Sequence, residues 1–302
     1  MAARTQAGVA VGAARRPGSL ARALRRSAIY GLLGLWGLIA SFPLYWVVTT
    51  SIKSPNDVYA GPKYVPFLDF MPSGEGWEAA TLGMFRALFF LALANSTIVS
   101  VTSAACSVFL GSLAGYGLAR YDYRLGRMRN KDISLWFISQ IVLPPATVLF
   151  PLLILFKTFS LLDTREGLIM LYTALNLPAV VWIMRDHFAA LPVELEESAM
   201  IDGCSRVATF LRIALPLALP GVIAAYLLVL VFTWNEYFLA VNLTSADAQT
   251  MPVLIAGQST GRGLLWWSMS AMATASIAPT VLIGLVLEKY IVKGLTAGAV
   301  RG

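Results

Sequence analysis

The sequence predicts an all-α, polytopic membrane protein with six transmembrane helices, on three observations. Of its 302 residues, 58% are hydrophobic and only 13% charged, against about 25% charged in an ordinary soluble domain. Mean hydropathy is +0.71. Six apolar stretches, 28–50, 88–116, 133–156, 167–186, 219–241 and 269–292, carry no charge deep in their middles, and each reaches the ~20 residues a helix needs to cross the hydrocarbon core.

Taken in order, residues 1–27 hold Arg4, Arg15, Arg16, Arg22, Arg25 and Arg26 and no acid. An organellar transit peptide is also Arg-rich and acid-poor. A disordered basic cytoplasmic tail leading into an uncleaved first span is the plainer reading. The second span contains Gly111 and Gly115, a small-xxx-small pair suited to close helix packing. Pro43, Pro144, Pro145, Pro151, Pro178 and Pro279 fall inside spans, where neighbouring helices satisfy the backbone groups that proline frees.

Basic residues set the orientation. The tail, the loop 117–132 (Arg120, Arg124, Arg127, Arg129, Lys131), the loop 185–218 (Arg185, Arg206, Arg212) and the C-terminal end (Lys289, Lys293, Arg301) hold 17 of the 23 Lys and Arg. Basic loops stay inside, so both termini are expected in the cytoplasm. The net charge of +7 then marks the inner membrane face, and nucleic acid is not an expected partner. Cys106 falls in a span, Cys204 in a cytoplasmic loop, and His187 is the one histidine. Neither a disulfide nor a transition-metal site is expected from that set.

The loop 187–218 is polar and helix-patterned between two apolar spans. Glu194, Glu196 and Glu197 follow Pro192 near a helix start, where the macrodipole favours negative charge. Gly203 suits a sharp turn, and Ser205 is placed to cap a second helix. Val207, Phe210, Leu211 and Ala214 recur at i, i+3, i+4 and i+7, one apolar stripe. An amphipathic hairpin on lipid is the plain alternative, but its polar face would be richer in Lys and Arg. Here Glu194, Glu196, Glu197 and Asp202 outnumber Arg206 and Arg212, which favours a protein partner.

Glu197-Ser198-Ala199, then Gly203, then Ile213, Leu215 and Pro216 resembles the "EAA" loop of permease subunits in binding-protein-dependent ABC importers. Ser198 stands where that pattern usually has alanine. "FPLYWVVTTSIKS" (42–54), "WNEYFLAV" (234–241) with "TMPV" (250–253), and "KYIVKGLTAGAVRG" (289–302) are similar to the carbohydrate, maltose-permease-like branch. The resemblance implies a type I importer fold over 28–302, in the cell inner membrane. It also implies a second permease, two ATPase subunits and an extracytoplasmic sugar-binding protein as partners. It gives Glu197, Ser198, Ala199, Asp202, Gly203, Phe210, Ile213, Leu215 and Pro216 to ATPase coupling. Gly257, Gln258, Ser259 and Gly261, in an outer loop whose glycines suggest flexibility, would meet the binding protein. Gly294, Leu295, Thr296 and Gly298, in a cytoplasmic tail 293–302, would reach the ATPase.

None of the six lysines follows a glycine, so the chain has no Walker A Gly-Lys-Ser/Thr to cradle phosphates. ATP and Mg are therefore expected to act in the partner ATPase, with no cofactor bound by this chain. Polar groups inside spans are candidates for a substrate path: Asn95, Gln140, Asn176, Trp234, Asn235 and Glu236. Amides and an aromatic face suit a sugar; interhelical hydrogen bonding is the plain alternative. An ion-coupled secondary transporter, an importer of a non-sugar solute and a membrane scaffold are the competing functions. A carrier would use a carboxylate deep in the membrane. Glu236 lies roughly 16 residues into its span, which at ~1.5 Å per residue is near the outer surface.

Overall fold

The computed structural model describes residues 19–83, 85–260 and 263–297. It divides into two units, one ending at Val47 and one beginning at Val48. The first, where described, is the body of α1 (Ser19–Ser51), and its apolar side chains, Trp36 and Leu38 among them, are exposed. α1 begins inside the predicted tail because Ser19–Ser27 is rich in Ala, Leu and Arg, strong helix formers. Residues 1–18 of that tail lie outside the described residues.

In the second unit, α2 (Pro55–Tyr59) and α3 (Glu75–Thr81) lead to the long α4 (Arg86–Arg120). A hairpin of β1 (Arg124–Leu125) and β2 (Met128–Arg129) follows. Then come α5 (Asn130–Ile141) and α6 (Pro145–Thr158), bent by 88° where they meet. Pro144 caps α6 and Pro145 is its first residue; proline has no N–H to donate and its ring crowds the preceding turn. The third predicted span is a corner rather than a rod.

α7 (Arg165–Ala189) is continuous. The polar loop folds as α8 (Glu194–Ile201), α9 (Arg206–Thr209), a π-turn (Phe210–Ala214) and α10 (Leu215–Leu217). α11 (Leu219–Trp234) leaves that run at 76°. α12 (Phe238–Leu243) and α13 (Met251–Ala256) precede a small hairpin, β3 (Ser259–Thr260) with β4 (Gly263–Leu264), and α14 (Trp266–Ala297) closes the fold. Among the described residues four helices are long and apolar enough to cross a membrane, or six spans if each bent pair is one.

α4 is the spine, packed along α7 and α11. Close approach explains its small residues. A Cβ on Gly111 would meet Val180 Cγ1 at 2.5 Å, and one on Gly115 would meet the Arg185 amide nitrogen at 2.8 Å. Buried serines need partners in so apolar a setting: Ser100 donates to Ser96 O (2.6 Å) and Ser107 crosses to Thr173 O on α7 (3.3 Å). At the Arg120 end of α4, Tyr116, Met184, Phe188, Phe210, Ala214 and Val229 share one core. Toward its other end Val99, Phe156, Leu168, Tyr172 and Leu239 form a second, and Phe89, Met251 and Met272 belong to a third.

Candidate functional site

The polar loop forms a bent knuckle at the Arg120 end of the helix bundle. Gly203 sits at φ +88°, and a Cβ added to it would find no atom within 4 Å. The turn therefore selects glycine by backbone conformation and not by crowding. Ser205 accepts from the Ala208 amide (3.3 Å) and caps α9. Glu197, Ser198, Asp202 and Gly203 are exposed at or near the turn. So are Ile201 (86%) and Val207 (68%), large apolar groups flanking it.

The predicted apolar stripe splits into two rows. Phe210 and Ala214 are buried, whereas Val207 and Leu211 are exposed. Both pairs are four apart, so each keeps to its own side of the winding chain. One row anchors the knuckle and the other is left on its surface. Of the predicted coupling residues, Ala199 and Phe210 are buried, Ile213 and Leu215 are half-buried, and Pro216 is exposed. The Phe210 ring packs against Tyr116 (centroids 4.8 Å) and Phe188 (5.9 Å).

Beside exposed Glu197, Glu196 is buried. Arg120 donates to its Oε1 through Nε (2.9 Å) and Nη2 (2.8 Å), and the Tyr116 hydroxyl donates to Oε2 (2.7 Å). By sequence alone Glu194, Glu196 and Glu197 group together as first-turn acids. The one signal that separates them is phase: successive helix residues turn by about 100°, so one glutamate faces in when its neighbour faces out. Arg206 rests over the Tyr121 ring, 5.1 Å from its centroid, and ties α9 to the residue after α4.

The predicted path residues fall into separate groups. Asn95 is fully buried: its amide donates to Asp247 O (2.9 Å) and Gln249 O (2.8 Å) and accepts from Arg165 Nε (2.6 Å). Trp234 is buried with its indole N–H on Ser276 O (3.1 Å) of α14. Asn176, half-buried, donates to Tyr172 O (2.8 Å), and the Tyr172 hydroxyl donates to Glu236 Oε2 (2.6 Å). Glu236 also accepts from the Leu239 (2.8 Å) and Ala240 (3.1 Å) amides, capping α12. That cap is why the apolar run 219–241 breaks between α11 and α12. Asn235 is exposed, its amide on Val231 O. Gln140 is exposed as well and lines a cavity of about 410 Å³ at the α5–α6 corner with Trp136, Leu143 and Pro178.

The loop after α12 is held by Asp163, a residue that no sequence pattern marks. Its carboxylate accepts from the amides of Ser245, Ala246, Asp247 and Ala248 (2.9–3.0 Å) and from the Ser245 hydroxyl (2.9 Å). Burial opposes its ionisation, but these donors outweigh it and hold the carboxyl well below its ordinary range. The Met251 amide donates to Ser96 Oγ (2.8 Å), so α4 and the α6–α7 connection grip the same segment.

Farther along, Gly257 is exposed and Gln258 buried, with Gln258 Nε2 on Leu254 O (3.3 Å). Ser259 begins the β3–β4 hairpin, paired with Leu264; Gly261 lies outside the described residues. Within the glycine-rich stretch expected to be a flexible loop, residues 259–260 and 263–264 pair as short antiparallel strands. Tyr59 Oη donates to Leu264 O (2.9 Å), joining it to α2. Gly294, Leu295 and Thr296 belong to the last turns of α14, and Gly298 lies outside the described residues.

The family model described as "binding-protein-dependent transport system inner membrane component" matches residues 107–297. The sulfoquinovosyl glycerol transport system permease protein SmoH of Agrobacterium fabrum is 32% identical, over 86% of this chain and 89% of that one. The trehalose/maltose transport system permease protein MalG of Thermococcus litoralis is 31% identical, over 89% and 94%. In fold, the chain is similar to one from a bacterial ABC transporter involved in the import of the acidic polysaccharide alginate. That likeness has TM-score 0.73 and 21% identity, and covers 91% of this chain and 99% of the other.

Proposed function

The chain belongs to the family of binding-protein-dependent transport system inner-membrane components, and from that premise we propose that it forms, with a second permease, the path of an ATP-driven sugar importer. The knuckle carries this reading: an exposed turn around Gly203, flanked by Ile201 and Val207, on a base buried through Phe210 and Glu196. A surface of that kind suits a groove in a cytoplasmic ATPase, with apolar contact from Ile201 and Val207 and charge from Glu197 and Asp202. ATP and Mg act in that subunit. Closure of an ATPase dimer would press two such knuckles together and swing the attached helices between inward- and outward-open states.

This orientation puts both termini and the knuckle in the cytoplasm and the segment 244–264 outside, where a substrate-laden binding protein would dock against Gly257 and the β3–β4 hairpin. The sugar class is supported by relatives named for sulfoquinovosyl glycerol and trehalose/maltose. Within the path, exposed Gln140 and Asn235 are the better candidates for sugar hydroxyls, since the polar atoms of Asn95 are engaged by Arg165 and two carbonyls. Glu236, engaged by Tyr172 and two amides, gives an ion-coupled carrier no support.

The test is reconstitution with the ATPase, second permease and binding protein in liposomes. Uptake that needs the binding protein and is abolished by vanadate is the expected result. Uptake that survives ATP depletion and collapses with a proton ionophore would overturn it.

A further inference from the structure

The Arg120–Glu196 pair stands 76 residues apart in sequence, at the last residue of α4 and in the first turn of α8. Both side chains are nearly sealed, at 8% and 5% exposure. Arg120 Nη2 also donates to Leu191 O (3.2 Å), in the connection between α7 and α8. Tyr116, one turn before Arg120 and therefore on the same face of α4, completes the set on Oε2 (2.7 Å). Its ring meets Phe188 of α7 edge-on, with centroids 5.3 Å apart.

Chain connections, at half-buried Leu191 on one side and the Gly203 turn on the other, fix where the ends of α8 lie but do not by themselves fix the direction of its axis. A planar guanidinium holding Oε1 through two nitrogens, with the Tyr116 hydroxyl on Oε2, engages both carboxylate oxygens and so fixes direction as well as distance. Buried charges are costly to separate, so such a pair resists opening far more than an exposed one. We infer that Glu196, Arg120 and Tyr116 form a clasp that makes α8 and α4 move as one body, so that displacement of the knuckle is delivered to the spine of the bundle. These are positioning residues: none is placed to touch the ATPase or a transported solute. The inference rests on the proposed ATPase-driven reading and adds to it the route by which motion enters the membrane domain.

The test uses the full importer with ATPase bound, carrying nitroxide labels at Leu195 on α8 and Leu88 near the far end of α4, both exposed. Pulsed electron resonance would compare the nucleotide-free and ATP–vanadate-trapped complexes. For the wild type the label distance is expected to hold within roughly 2 Å, the scale of small helix shifts. In Glu196→Gln and Tyr116→Phe it is expected to move further or broaden on trapping, while the ATPase still co-purifies. A structural staple with no part in transmission would leave the variants as rigid as the wild type, and that result overturns the inference. So does a wild-type distance that changes as much as the variants' does. If instead the ATPase fails to associate with the wild type, the proposed function itself fails, which the co-purification lane reads separately.

Discussion

The carboxylate of Asp163 accepts both the amide and the hydroxyl of Ser245, at 3.0 and 2.9 Å, across 82 residues of sequence. With three further amides on the same group, the α6–α7 connection holds the loop after α12 by one side chain. Hydrogen bonds to a charged group contribute about 1.5–3 kcal/mol each in favourable settings, less here because the site is partly solvated. Asp163→Asn is therefore expected to lower the melting temperature in detergent and speed amide exchange at Ala246 through Ala248. Folding depresses this pKa below its ordinary 3.8, so the stabilisation is complete above that value and is lost as pH falls below it. The melting gap between wild type and Asp163→Asn should shrink through that acid window. A gap independent of pH would show that charge is not the cause.

Gly203 offers a graded test of the knuckle. Alanine at its φ of +88° meets no neighbour and suffers only the left-handed backbone penalty, about 1–2 kcal/mol. Proline is locked near φ −65° and cannot form the turn. Gly203→Ala should keep most ATPase co-purification and Gly203→Pro should lose it, with membrane insertion intact in both. Equal retention by both would remove the turn from the docking surface.

Adjacent glutamates should behave differently. Glu197→Arg reverses charge on an exposed face and is expected to weaken ATPase binding in a salt-dependent way. Glu196→Ala leaves Arg120 buried without its partner, a change that typically costs 3–5 kcal/mol, and should lower thermal stability regardless of salt. Melting curves and pull-downs at two ionic strengths separate these outcomes.

Close helix contact predicts the fate of Gly115. A Cβ there would lie 2.8 Å from the Arg185 amide nitrogen and 2.9 Å from Met184 Cβ; backbone cannot step aside as a side-chain tip can. Gly115→Ala should destabilise by about 1–3 kcal/mol, the usual cost of overpacking. Gly126→Ala, at φ +61° with open space around it, should melt closer to wild type because only backbone strain opposes it. Reversed rank in the two melting temperatures would contradict the α4–α7 packing.

The knuckle was legible because its residue types recur at fixed spacing, and the helical class because apolar runs long enough to cross a bilayer are rare otherwise. Direction was not. Nothing in the composition around Glu196 and Glu197 distinguishes an inward acid from an outward one, since the distinguishing partner, Arg120, sits in a distant helix. The Gly111–Gly115 pair did signal the α4–α7 approach. The interruption after Trp234 was hidden because hydropathy averages over a capping carboxylate. Asp163 looked like an ordinary loop acid, its meaning supplied by amides 82 to 85 positions away.

The two prolines at the α5–α6 corner fix more than an angle. A straight helix through Pro144 and Pro145 would set their rings against the carbonyls of Gln140 and Ile141 and forfeit two backbone bonds, at ~3 kcal/mol or more for each proline. The corner of 88° is therefore expected to behave as a stiff elbow, which transport would carry bodily more cheaply than it could straighten it.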